Sequence, residues 1–156
     1  MTLAEAVSAS CLLNVFVSGV PAPAGSKTAF AFKRANGTLG AAVTDASKRS
    51  KPWKQCLAAV MSEHYDGVPQ PTPLGCVMTF TMPRPLSHYG TKKGERYVKP
   101  NAPVRHTSKP DLDKLVRAVF DAGSGLIWTD DHVIAEMNAM KIYGEKPGVL
   151  ISVWRA

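Results

Sequence analysis

The sequence predicts an α+β fold, a mixed β-sheet with helices packed against it. Two observations carry this: apolar runs of strand length are interspersed with two stretches of helical periodicity, and glycine- and proline-rich breaks separate them. At 156 residues and 45% hydrophobic composition the chain is long enough to bury a real core as one domain, residues 1–156. No internal repeat and no low-complexity tract divides it.

Met1 to Ser10 reads as a loose lead-in and Cys11 to Val20 as a core strand. The apolar run is too short to span a bilayer, has no basic segment before it and follows Glu5, so it reads as neither a secretory signal nor a transmembrane segment. Pro21 to Lys27 is a loop, and Thr28 to Phe32 with Thr38 to Val43 form a hairpin around Asn36-Gly37. Trp53, Leu57, Val60, Met61 and His64 keep helical spacing, with Pro52 suited to a first turn and His64 expected to pack on the helix face.

Gly67 to Gly75 carries three prolines and reads as a linker; Cys76 to Met82 follows as a buried strand, and residues 84–109 as a long basic loop. Beyond a second helix and the stop Ala122-Gly123-Ser124-Gly125, Val133 to Tyr143 and Val149 to Trp154 read as strands. Gly144 to Gly148 gives them a hairpin-type connection. Cys11, Cys56 and Cys76 are widely spaced and odd in number, as free buried thiols in a reducing cytosol would be, so a cytoplasmic protein is expected.

Charge is distributed unevenly. Nineteen Lys and Arg face twelve Asp and Glu, a net charge of +7. Arg84, Lys92, Lys93, Arg96, Lys99, Arg105 and Lys109 oppose only Glu95 in their segment, with His88, Tyr89, Tyr97 and His106 interleaved. That mixture suits phosphate contacts combined with stacking. A second basic group, Lys27, Lys33, Arg34, Lys48, Arg49, Lys51 and Lys54, meets only Asp45.

Immediately behind the first basic segment, Asp111, Asp113, Asp121, Asp130 and Asp131 place five of the twelve acids within 21 residues. Leu112, Leu115, Val116, Val119 and Phe120 form one apolar helical stripe, while Asp113, Arg117 and Asp121 share a polar face at intervals of four. Pro110 disfavours helix before itself, so the helix begins near Asp111, whose side chain as N-cap can converge with that of Asp113. A tight turn after the helix is expected to return the second acidic pair to the first, with only one of Asp130 and Asp131 facing it because neighbours in extended chain point to opposite sides. Clustered carboxylates repel unless a cation neutralises them, and oxygen-only ligands suit Mg²⁺ or Mn²⁺ better than zinc. Such sites commonly serve phosphoryl transfer, with one ion or two.

These residues resemble the RusA-type Holliday junction resolvases, endodeoxyribonucleases of bacteria and their phages. The match lies in Asp111-x-Asp113, the helix through Arg117 to Phe120-Asp121, the Asp130-Asp131 pair, and the ending Lys141-Ile142-Tyr143-Gly144-Glu145-Lys146-Pro147-Gly148-Val149. It is strongest over residues 109–152. The resemblance implies that Asp111, Asp113 and Asp131 are the metal-binding carboxylates and that Arg117 is a catalytic basic residue. Asp121, Asp130 and Glu136 are left as supporting or alternative ligands. Lys114 stands where the family commonly has asparagine, and Val133 where it often has glutamine.

The expected activity is Mg²⁺-dependent hydrolysis of DNA phosphodiesters, with paired symmetrical nicks in a four-way junction during recombination and repair. Two active sites on a two-fold substrate imply a C2 homodimer. Neither a membrane nor a small-molecule cofactor is expected as partner. A non-catalytic DNA-binding module, or a Mg²⁺ nuclease acting on flaps or RNA, would share much of the same sequence pattern.

Overall fold

The computed structural model describes residues 10–25, 27–45 and 48–156; the lead-in before Ser10 lies outside them. Strand β1 (Cys11–Ser18) is followed by a hairpin of β2 (Lys27–Lys33) and β3 (Leu39–Asp45), then helix α1 (Ser50–His64) and strand β4 (Leu74–Pro83). A second hairpin of β5 (Tyr89–Lys92) and β6 (Glu95–Val98) precedes helix α2 (Leu112–Gly123), β7 (Ile134–Gly144) and β8 (Gly148–Arg155).

The main sheet has the order β1-β8-β4-β7, with β4 and β7 parallel and the other pairs antiparallel. Period-two burial defines its inner face. Leu13, Val15 and Val17 of β1, Val149, Ile151 and Val153 of β8, and Leu74, Cys76, Met78, Phe80 and Met82 of β4 are buried against both helices. The helical stripes also hold: Trp53, Leu57 and Met61 of α1, and Leu115, Val116 and Val119 of α2, complete the core.

Four expectations change. The loop Gly144 to Gly148 is not a hairpin, because β8 pairs with β1 and β4 and never with β7. Since β7 and β8 flank β4, the connection must span two strand spacings, about 10 Å, which a two-residue turn cannot do. The basic stretch is not a plain loop either. Lys93 (φ 52°) and Gly94 (φ 79°) both adopt left-handed backbone and close β5 onto β6 as a tight hairpin, hidden in sequence by short polar strands.

The third concerns His64, which is exposed, its ring Nδ1 lying 2.9 Å from the Val60 carbonyl oxygen. Finally, of the three free cysteines only Cys76 is buried, and that burial pushes its thiol up to about 11. No helix among the described residues is long and apolar enough to cross a membrane.

Candidate functional site

Helix α2 begins where Pro110 implies. Asp111 occupies the N-cap with extended backbone (φ −69°, ψ 142°), and its carbonyl accepts the first helical bond from Leu115 N–H at 3.2 Å. Its carboxylate makes no capping bond. It lies instead between two ammonium groups, 3.6 Å from Lys109 Nζ and 3.7 Å from Lys114 Nζ. These are exposed pairs, weak for stability, so the arrangement concentrates charge more than it secures the helix.

Around Asp111 opens a cleft of about 460 Å³ lined by Arg49, His106, Lys109, Lys114, Met82 and several prolines. A cationic recess with a single carboxylate at its edge is suited to an anion and a hard cation together.

The basic segment reaches this cleft by pairing with the sheet. Val104 to His106 runs antiparallel along the outer edge of β7, with Tyr143 N–H donating to Val104 O (2.9 Å) and His106 N–H to Lys141 O (3.1 Å). Tyr143 anchors an aromatic group: His88 meets its ring edge-on at 4.8 Å, His106 tilts against it at 4.7 Å, and the Arg84 guanidinium lies 5.5 Å above it. Of the seven bases expected to contact DNA, two are tied into the loop itself and a third onto β7. Arg84 donates to Pro103 O at 2.8 Å, Lys99 to Ser87 O at 3.0 Å, and Arg105 reaches Met140 Sδ at 3.6 Å. Lys92, Lys93 and Arg96 are exposed on the β5–β6 hairpin, where Arg96 lies over the Tyr89 ring at 5.4 Å.

His106 has its Nδ1 buried without a hydrogen-bond partner. Burial first, and then the Lys141 ammonium, hold its pKa below the ordinary 6.5. The unfolded chain therefore takes up this proton before the folded one does. The stabilisation is complete above 6.5 and is lost as pH falls below it through the folded value. Thermal unfolding between pH 7.5 and 5 should show a steeper fall for wild type than for His106→Gln; parallel curves would remove His106 as the cause.

Asp113, Arg117, Asp121, Asp130, Asp131 and Glu136 do not line the cleft at Asp111. Asp113, Arg117 and Asp121 do share the exposed face of α2. Arg117 lies across Gly25 (φ +87°), where a Cβ would come within 2.6 Å of Arg117 Cδ, so this glycine gives the side chain its path. Asp121 pairs with Lys54 of α1 at 3.4 Å, which compensates an acid placed against the helix dipole.

Asp131 accepts the Trp128 indole N–H at 3.0 Å, and Asp130 accepts Asp131 N–H at 2.6 Å. Asp131 shares a shallow depression with Lys51, Lys54 and Asp121, at the C-terminal end of α2. Glu136 sits on β7 opposite Gly75, on the sheet face away from the helices.

The expectation that the second acidic pair returns to the first is therefore corrected. The twelve residues of α2 separate its two ends by about 18 Å. After the turn β7 runs back along the helix, and it is Lys141, not Asp131, that comes to the N-terminal end of α2, where its ammonium bonds the Pro110 carbonyl and feels the Asp111 charge. Among the described residues no three His, Cys, Asp or Glu side chains are grouped to hold a metal. The donors at Asp111 and Asp113 have the right chemistry for Mg²⁺ or Mn²⁺, but one chain does not gather three of them.

Sequence reasoning missed the ion pair of Lys114 with Asp111 and the bonds of Lys141 to the Ser108 and Pro110 carbonyls; Lys141 was visible only as one base in a mostly apolar strand. The model of a family described as "Endodeoxyribonuclease RusA" matches residues 21–154. The uncharacterized protein YqaN of Bacillus subtilis (strain 168) is 31% identical over 105 residues, 67% of this chain and 73% of that protein.

Proposed function

The chain belongs to the RusA endodeoxyribonuclease family, and from that premise and the cleft at Asp111 we propose that it nicks four-way DNA junctions in a Mg²⁺-dependent reaction. The observation that carries the reading is Asp111 itself, an N-cap aspartate that forgoes its capping bond and offers its carboxylate to a recess lined by Arg49, Lys109 and Lys114.

Asp111 and Asp113 of one copy, with Asp131 of a second, would hold Mg²⁺, with Mn²⁺ as a substitute. This completes the oxygen donor set that one chain leaves short, and it accords with the homodimer expected for a two-fold substrate. The ion, when bound, supplies positive charge at the scissile phosphate and makes water a better nucleophile.

The chain's own residues do the rest. Arg49, Lys109 and Lys114 attract the phosphate backbone into the cleft, and Arg117 lends charge to the phosphorane-like transition state from the exposed face of α2. The β5–β6 hairpin extends the cationic surface with Lys92, Lys93 and Arg96 and presents half-exposed Tyr97 for stacking.

Labelled four-way junction, linear duplex, flap and RNA should be incubated with the wild-type chain, with Mg²⁺ or with EDTA. Paired symmetrical nicks confined to the junction and abolished by EDTA are expected. Cleavage that EDTA leaves unchanged would sink the metal assignment, equal cleavage of duplex the junction selectivity, and binding without any nicking would leave a DNA-binding module.

A further inference from the structure

We infer that Lys141 is a positioning residue that fixes the entry of the chain into α2 and thereby the placement of the Asp111 carboxylate. The inference rests on the nuclease reading of that carboxylate.

Lys141 is out of place for a lysine. In the parallel pair it stands opposite Phe80, between Ala139 opposite Met78 and Tyr143 opposite Met82, so its side chain leaves β7 on the helix-covered face. An ammonium on that face is partly shielded from water and needs acceptors to replace the water it loses. It finds them in the five residues that lead into α2. Nζ donates to Ser108 O at 2.7 Å and to Pro110 O at 2.6 Å, while the Lys141 carbonyl accepts His106 N–H at 3.1 Å.

One residue thus binds residues 106, 108 and 110 to the edge of the sheet immediately before Asp111. Both side-chain acceptors are carbonyls that precede the helix and so lie outside its hydrogen-bond ladder. Charge-assisted bonds of this length are among the stronger polar contacts available. Burial lowers the pKa of Lys141, and the Asp111 carboxylate opposes that shift by favouring the ammonium. With two of its three protons donated to carbonyls, the ammonium acts on the reaction through the backbone that carries Asp111, not by reaching a phosphate.

The test compares the full-length wild type with Lys141→Met and Lys141→Arg by amide hydrogen exchange, junction binding in EDTA, and single-turnover nicking with Mg²⁺. In Lys141→Met, exchange across residues 106–115 should rise by about tenfold or more while β1 and β8 stay protected. Its turnover should fall by about 100-fold, the scale of a small misplacement of a reacting group, with junction affinity within about threefold. Lys141→Arg, which keeps charge and reach, should recover most of the protection and part of the turnover.

Unchanged exchange over 106–115 in Lys141→Met overturns the inference, as does protection lost throughout the sheet. A fall in junction affinity at constant turnover overturns it too, since it would make Lys141 a phosphate contact. A wild type that nicks no DNA removes the nuclease reading, and the exchange comparison still decides whether Lys141 holds this segment.

Discussion

Asp111→Asn and Asp131→Asn should each lower junction nicking by about 1000-fold or more, the scale expected when a preorganised charged group is removed from a reacting centre. Mixed after co-refolding, the two inactive variants should regain about a quarter of the wild-type rate. The recovery follows from symmetry. In the proposed homodimer, random pairing would make about half of the dimers mixed, and in a mixed dimer one shared site would collect both substitutions while the other kept Asp111 of one copy and Asp131 of the other.

If all three carboxylates came from one chain, no mixture could contain an intact site. Recovery below about 1% of the wild-type rate would therefore refute the two-copy metal site, since the shared arrangement requires one good site in every mixed dimer. The Asp111 carboxylate makes no capping bond that the fold would lose, so Asp111→Asn should fold normally and bind junctions as tightly as wild type.

The largest effect on stability is expected at Trp128. Its side chain is fully buried, meets Phe120 edge-on at 5.8 Å, and covers Gly123, where a Cβ would come within 2.5 Å of the indole. Trp128→Ala should destabilise the fold by about 3 to 5 kcal/mol and lower Tm by about 10 °C.

Trp128→Phe tests the polar part separately. It keeps most of the packing but removes the N–H held by Asp131, so it should cost about 1 to 3 kcal/mol and leave the Asp131 carboxylate without its fixed orientation. Urea unfolding of the two variants with nicking of the second distinguishes packing from orientation. Equal losses in both would assign the whole effect to the hydrogen bond.

The parts of this architecture that the sequence shows are those with a strong period. The α2 stripe from Leu112 to Phe120 and the alternation in β1, β4 and β8 each reflect one element meeting one core, and that information is local. Pairing partners are not local: nothing in Gly144 to Gly148 says that β8 will slip between β1 and β4. The hairpin at Lys93-Gly94 escaped because its strands are four residues long and mostly polar.

The acidic cluster illustrates a different limit. Its members are near in sequence, yet a rigid twelve-residue helix holds Asp111 and Asp131 at opposite ends, and helix length alone argues against their meeting within one chain. Family membership rests on the pattern as a whole and is unaffected by where a single chain places each carboxylate.

The strand order has a bearing on how the molecule assembles in time. β8 follows every other strand in sequence but occupies an interior place in the sheet, joined to β1 from far upstream on one side and to β4 on the other. Until it arrives, β1 has no neighbour in the main sheet, and both β1 and β4 present unpaired edges to any other chain nearby. Folding is thus deferred to long-range contacts, which makes it slow and exposes a partly synthesised chain to aggregation. Substitutions that weaken β8 should therefore reduce the yield of folded protein before they alter any property of the protein that does fold.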